Sequence, residues 1–423
     1  MTNKNRISKL CLVASSILVI LVGCTQPNGS IKCTLKGVVI DRPQSSHLIL
    51  CKQSADPRIH GIEIPIIDGK FEYTLNCEHV ERYELAFNEE YETGSYRHFS
   101  FFSEHGVINL TFHPTDRFNE NRVKGSKLTR EYWDYLNPIL NKYEEIKKEF
   151  HAKAKRYLED NFGEVLNTHE TFEDNLRAKV EQLGKDGVDI EPIIQVITEM
   201  EQSLYREVNQ EIKLLTLQYI KEHPTIAGYS VLVSEANSML QRNKYFQETN
   251  DITPYTDLYK TIFAPKFPNH PYSERMENMF AGLSIQAGVP FVDFIAVDLN
   301  GNPVKLSERI AGKSTVLNLW ASWCGPCRKK GKELIPIYEE YRDKGLVVVG
   351  VAREKSISTA EAAIKLDKYP WENLVELNDT EKIWEKYGIG NSGGSVFLID
   401  ENGIIVANNP SIEEIRDFLN NKL

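Results

Sequence analysis

Three regimes of hydrophobic patterning follow one another along the chain. From Ile31 to about Asn121, short and partly alternating apolar runs recur, such as Val38-Val39-Ile40, His47-Leu48-Ile49-Leu50, Phe71-Glu72-Tyr73-Thr74-Leu75 and Val107-Ile108-Asn109-Leu110. Turn residues such as Asp41-Arg42-Pro43 and Asp68-Gly69 separate them. Period-two runs punctuated this way predict strands, and their repetition predicts a small β-sandwich-like domain over 31–122. From 123 to 286 the period lengthens. Ile193, Ile197, Met200, Leu204, Val208, Ile212, Leu215 and Tyr219 recur at steps of three or four, as do Leu140, Tyr143, Ile146, Phe150 and Tyr157. Those spacings predict two long amphipathic helices packed along a seam, with the charges between as a solvated face or, alternatively, a partner surface.

The third regime, 287–423, is α/β. Asn300-Gly301 predicts a hairpin turn between 291–297 and 303–306. The apolar run Thr315-Val316-Leu317-Asn318-Leu319 reads as a buried strand, and Leu346 to Ala352 as another. Helices are predicted over 358–367, 381–387 and 412–419. A second hairpin joins 396–400 to 404–407 through Asn402-Gly403. A β-α-β unit implies parallel strands and a right-handed crossover, with ligands beyond the carboxyl ends of those strands. The expected fold class is therefore α/β, a central mixed sheet flanked by helices, preceded by the small β-sandwich-like domain and the helical region.

Composition changes this picture little. The 423 residues suffice for two or three domains, and 41% apolar and 26% charged residues are ordinary for a globular protein. A net charge of −10 argues against a nucleic-acid partner, which needs a basic surface.

The N-terminus reads as a targeting segment. Lys4, Arg6 and Lys9 precede an apolar stretch, Leu10 to Val22, too short for a typical spanning helix. Leu21-Val22-Gly23-Cys24 resembles a bacterial lipobox. That resemblance implies a signal peptide at 1–23, a lipidated Cys24, a tether over 24–30 and a lipid-anchored place in the cell envelope or periplasm. Thr25 points to the outer membrane rather than the inner. Outside the cytosol disulfides persist. For Cys33, Cys51 and Cys77, a Cys51–Cys77 bridge and buried free thiols both stay open.

The chemistry concentrates at Trp323-Cys324-Gly325-Pro326-Cys327, where the buried strand gives way to a helical pattern. Two thiols at that spacing close a disulfide within one turn. A helix start presents unpaired N–H groups and a positive dipole end, which favour a thiolate at Cys324. Arg328, Lys329 and Lys330 add positive charge nearby. Pro326 suits the first helical turn. A Cys-x-x-Cys pair is also half of a zinc site, but no second closely spaced pair completes it, and no metal is expected.

These residues, with Val289-Pro290-Phe291-Val292-Asp293-Phe294 and Phe397-Leu398-Ile399-Asp400, resemble the thioredoxin superfamily. Within it they are similar to the membrane-anchored thiol–disulfide oxidoreductases of the TlpA/ResA type, over about the last third of the chain. The β-rich domain resembles one of unassigned function that often precedes such modules in exported lipoproteins. The resemblance implies a thioredoxin-like fold and no cofactor. It also implies protein thiols and disulfides as substrate, and a second thiol–disulfide protein as electron donor. Cys324 would attack a client disulfide and Cys327 resolve the mixed disulfide. Trp323, Gly393 and Gly394 would meet the client.

Three departures from the family are visible. Gly394 stands where a cis-proline is usual, so the loop Gly390-Asn391-Ser392-Gly393-Gly394 is expected to be trans and flexible. Lys330 stands where the type has Glu, leaving Glu354 as the nominated proton-transfer residue. Pro336 lies four residues late, as if one helical turn were inserted. The expected activity is reduction or exchange of disulfides in the cell envelope. The alternative is a redox-sensitive binding protein whose β and helical domains recognise a partner. A peroxidatic cysteine has a Pro-x-x-x-Thr-x-x-Cys setting that neither Cys here has.

Overall fold

The computed structural model describes residues 30–94, 97–163, 165, 171–246 and 250–422; segment 1–23 and Cys24 lie outside them. The β-rich part contains β1 Ile31–Val39, β2 His47–Lys52, α1 Pro57–His60, β3 Ile62–Pro65, β4 Lys70–Cys77, β5 Arg82–Phe87, α2 Asn88–Thr93, β6 Phe99–Phe102, β7 Gly106–Phe112 and β8 Arg122–Lys124. Among the described residues these strands form two four-stranded sheets, ordered β4-β1-β7-β8 and β3-β2-β5-β6. Leu35 and Ile108 of the first sheet share one dry core with Leu48, Leu50, Leu85 and Phe101 of the second. Inward apolar residues alternate with outward polar ones, as in the buried Leu35 beside the exposed Lys36, so two facing sheets bury one side each. Cys33, Cys51 and Cys77 are free, the first two buried, and no Cys51–Cys77 bridge forms. Cys51 lies on β2 and Cys77 on β4, in different sheets.

The helical part runs through α3 Lys127–Phe162, α4 Phe172–Lys185, α5 Glu191–Glu222, α6 Ile226–Phe246, α7 Thr253–Leu258, α8 Ala264–Lys266 and α9 Pro271–Leu283. Ser126 caps α3 by accepting a hydrogen bond from the Thr129 N–H. Helices α3 and α5 pack along the expected seam through Phe150, Ala154 and Leu158 against Ile193 and Ile197. Phe102 of β6 belongs to the core of this part, with Tyr132, Tyr229 and Phe263. The Tyr272 hydroxyl accepts from the Arg82 N–H at 2.7 Å. The β and helical parts therefore share buried contacts.

The C-terminal part comprises β9 Ile295–Val297, β10 Pro303–Lys305, α10 Leu306–Ile310, β11 Thr315–Trp320, α11 Gly325–Tyr341, β12 Val347–Glu354, α12 Ile357–Asp367, β13 Glu372–Leu377, α13 Ile383–Lys386, β14 Ser395–Ile399, β15 Ile405–Asn408 and α14 Ile412–Lys422. Among the described residues it holds a seven-stranded mixed sheet, ordered β10-β9-β13-β12-β11-β14-β15. Strand β11, buried throughout, runs parallel to β12 and antiparallel to β14. Helices from α10 onward flank this sheet, and both expected hairpins form.

One strand departs from the patterning. Strand β13 is missed because Glu372, Asn373 and Glu376 interrupt its apolar run, although Asn373 and Glu376 are buried. Helix α11 runs through Pro336 to Tyr341, in keeping with the helical pattern after Cys327. The helical part meets this sheet where Gly282 faces Gly388. A Cβ on Gly282 would stand 2.7 Å from the Gly388 Cα, so both positions need glycine for the backbones to meet.

Candidate active site

Cys324 and Cys327 form a disulfide with their Cα atoms 5.3 Å apart. Cys324 is the N-cap of α11, and its Sγ accepts from the Cys327 N–H at 3.3 Å. The buried β11 delivers the pair to the end of the sheet. On the facing loop, Gly394 N–H donates to Cys327 Sγ at 3.0 Å. A Cβ on Gly393 would lie 3.5 Å from Cys324 Sγ, ordinary contact. A Cβ on Gly394 would lie 1.9 Å from the Leu319 carbonyl oxygen, so only glycine fits that backbone. The described peptide bonds here are trans.

The loop is tied down rather than loose. Asn391 accepts at Oδ1 from Arg353 at 3.0 Å and donates from Nδ2 to the Ser54 carbonyl at 3.0 Å. The Asn391 carbonyl accepts from Arg58 at 2.5 Å. Ser54 and Arg58 belong to the β-rich part, which thus reaches the edge of the redox pair. This contact between distant segments has no signal in the hydrophobic pattern. Cys324 is only 3% exposed. Trp323, half-buried, lies under the Arg58 guanidinium and 5.9 Å from the Trp384 ring.

Behind Arg58 is a buried charge cluster. Asp56, fully buried, pairs with Arg58 and, at 3.4 Å, with Arg353. Arg353 also grips Asp379 through two bonds of 2.5 Å, and His60 reaches Asp379 at 3.0 Å. Burial alone would raise the Asp379 carboxyl, but Arg353 and His60 hold it down at about 2.

Glu354, at the end of β12, is buried, and its carboxylate accepts from the Ser322 N–H at 2.6 Å. Burial pushes its pKa above the ordinary carboxylate value, against the pull of that hydrogen bond. It therefore stands at the turn leading into the cysteines. Two of the three cations after Cys327 have partners in the fold. Arg328 forks onto Asp367 at 2.6 and 2.9 Å, and Lys330 donates to the Pro410 carbonyl at 2.8 Å. Arg328 also donates to the Ser322 carbonyl at 3.4 Å, in the turn before Cys324.

A disulfide at a strand-to-helix turn, on a mixed sheet flanked by helices, defines a thioredoxin-like thiol–disulfide oxidoreductase. Residues 287–408 match the AhpC/TSA family. The chain belongs to the thiol–disulfide oxidoreductases of the ResA kind. It is 30% identical over 124 residues to thiol-disulfide oxidoreductase ResA of Bacillus thuringiensis, covering 29% of this chain and 68% of that relative. The Bacillus subtilis ResA is 28% identical over 131 residues, covering 30% of this chain and 70% of the relative. A solved thioredoxin domain of a Bacteroides vulgatus thiol-disulfide oxidoreductase is 27% identical, over 33% of this chain and 98% of that one, with a TM-score of 0.30. A thiol:disulfide interchange protein from Bacteroides sp. is 26% identical, over 33% and 91%, with a TM-score of 0.31. Among the described residues no helix is long and apolar enough to cross a membrane.

Proposed function

We propose that the Cys324–Cys327 dithiol reduces disulfides of exported proteins in the cell envelope. The observation that carries this reading is the arrangement of donors around the two sulfurs. Cys324 caps α11, and Cys327 takes the Gly394 N–H. Helix-start and loop donors of this kind stabilise the thiolates that exchange requires. In the reduced protein, the Cys324 thiolate attacks one sulfur of a client disulfide. The client S–S bond breaks, a Cys324–client bond forms, and the leaving sulfur takes a proton. Cys327 then loses its proton and attacks Cys324 Sγ. The mixed disulfide breaks, the second client sulfur leaves and is protonated, and the internal disulfide forms. The client gains two electrons and two protons. A second thiol–disulfide protein restores the dithiol.

Glu354 is the proton carrier in this reading, because burial raises its carboxyl above the ordinary value and so makes it hold a proton more readily than an exposed carboxylate. Trp323, Gly393 and Gly394 form the client contact. The basic and apolar pattern before Cys24 supports a cleaved signal at 1–23 and a lipid anchor on the outer membrane. The parts are then a tether at 24–30, a β-rich domain at 31–122, a helical domain at 123–286 and the thioredoxin-like domain at 287–423.

A second reading is favoured by the cover over Cys324. The β and helical domains hold a partner, and the disulfide switches that contact with little turnover. A redox titration of the pair, coupled to turnover of a model disulfide and with Cys324→Ser as control, separates the two. A potential below about −200 mV with turnover lost in the variant supports the reductase. Cycling without turnover supports the switch. A potential above about −150 mV overturns the reducing direction.

A further inference from the structure

A cavity of about 1450 Å³ lies where the three parts of the chain meet. Small-molecule sites occupy roughly 300–1,000 Å³, so this space suits a larger occupant. Its wall includes Tyr73 to Asn76 of β4, Asn237 and Gln241 of α6, and Asn391 and Ser392 beside the redox pair.

The lining says what that occupant is. Successive residues of a strand point to opposite faces. A cavity that touches all four residues from Tyr73 to Asn76 therefore runs along the strand's edge, against its backbone. Strand β4 is an outer strand of its sheet, so among the described residues no strand pairs with the side away from β1. Such an edge presents a row of N–H and C=O groups to an extended chain. Across the cavity, Gln241 Oε1 packs against Gly390 and has no hydrogen-bond partner among the described residues. Asn76 and Asn237 add side-chain amides, each both donor and acceptor. Amides and a free strand edge match the polar groups of a polypeptide main chain. The wall ends at Ser392, the residue before Gly393, whose Cβ position is 3.5 Å from Cys324 Sγ.

We propose that the cavity holds an extended segment of client polypeptide, added to the free edge of β4 as a fifth strand, with the client disulfide delivered toward Cys324. Recognition is through the main chain and tolerates many client sequences. The inference deepens the oxidoreductase reading and rests on it only for what happens once the segment is bound.

Binding is tested on the full chain carrying Cys324→Ser and Cys327→Ser, which lacks both sulfurs of the redox pair. The probe is a short fluorescein-labelled peptide of mixed sequence closed by one internal disulfide, followed by fluorescence anisotropy. Hydrogen–deuterium exchange is measured in parallel. The expected result is saturable binding that slows amide exchange in Tyr73–Asn76 but not in Arg122–Lys124 of β8, the opposite edge. Asn237→Trp, which thrusts an indole into the cavity, is expected to weaken binding about tenfold. Gln241→Leu, a smaller change, is expected to weaken it in the same direction and serves if the Trp variant does not fold. Absence of binding, equal binding by the variants, or binding without protection of β4 overturns the proposal. A wild-type chain that binds the peptide at β4 but never reduces it leaves the cavity standing and sinks the reductase reading instead.

Discussion

The guanidinium carbon of Arg58 lies 3.3 Å from the centre of the Trp323 ring, so a residue of the β-rich part covers the tryptophan next to the redox pair. The two are 265 residues apart, and their meeting makes access to Cys324 depend on a segment outside the thioredoxin-like part. A cation over an indole contributes about 1 kcal/mol. Arg58→Ala should therefore speed alkylation of reduced Cys324 by iodoacetamide about fivefold. Stopped-flow alkylation checks this, and an unchanged rate would show that Arg58 does not gate the sulfur.

Glu354→Gln keeps an acceptor for the Ser322 N–H and so preserves the turn into the cysteines, while removing the titrating carboxyl. The expected outcome is a loss of about a hundredfold in the turnover of a protein disulfide, with a flattened pH–rate profile. A variant whose profile keeps its wild-type shape would assign Glu354 a purely structural part.

Gly394 has no room for a side chain against the Leu319 carbonyl. Gly394→Ala must push the loop away from β11 and lengthen the bond to Cys327. A destabilisation of about 1–3 kcal/mol in urea unfolding of the oxidised protein is expected. Gly393→Ala, whose added carbon meets only ordinary contact with Cys324 Sγ, should cost well under that, and equal costs would contradict the geometry.

Glu376 on β13 is buried, with its Oε1 accepting from the Ile383 N–H at 2.8 Å. Burial, aided by Asp379, pushes its carboxyl up to about 7, against the pull of that N–H and of Arg353. Below the ordinary value of 4.5 both folded and unfolded chains are protonated at this site, and it carries no penalty. As pH rises from there the unfolded chain ionises first, so stability is lost until the folded carboxyl also ionises, near pH 7. The total is about 3 kcal/mol. Glu376→Gln should remove this loss, so that its advantage over wild type grows between pH 4.5 and 7 and is level above. Urea melts at pH 5 and pH 8 give the comparison, and an equal difference at both would exclude the carboxyl as the source.

The readable parts of this chain are those where burial repeats with a local period. The long helices α3 and α5, the hairpins at Gly301 and Gly403, the buried β11 and the Cys324–Cys327 turn all announce themselves within a few residues. Strand β13 does not, because its buried Glu376 and Asn373 look like surface residues until the Ile383 N–H and the Trp371 carbonyl that they bond are in place. The site divides the same way. The sulfurs and Gly394 are legible from motif and alignment, whereas Arg58, Asp56 and Ser54 reach the loop only through tertiary packing. Lys330 and Arg328 show the same, since nearness in sequence to Cys327 does not reveal the partners they take, the Pro410 carbonyl and Asp367.

The two buried thiols of the β sandwich bear on how the protein survives its own chemistry. Burial pushes both Cys33 and Cys51 up to about 12. At neutral pH almost none of either is the reactive anion, so neither attacks a passing disulfide. Folding the sandwich thus removes two competitors for every oxidant that Cys324 and Cys327 meet. Of the three free cysteines among the described residues, the two locked inside the sandwich are in this way kept from becoming the chain's own clients, while Cys77 is only half-buried.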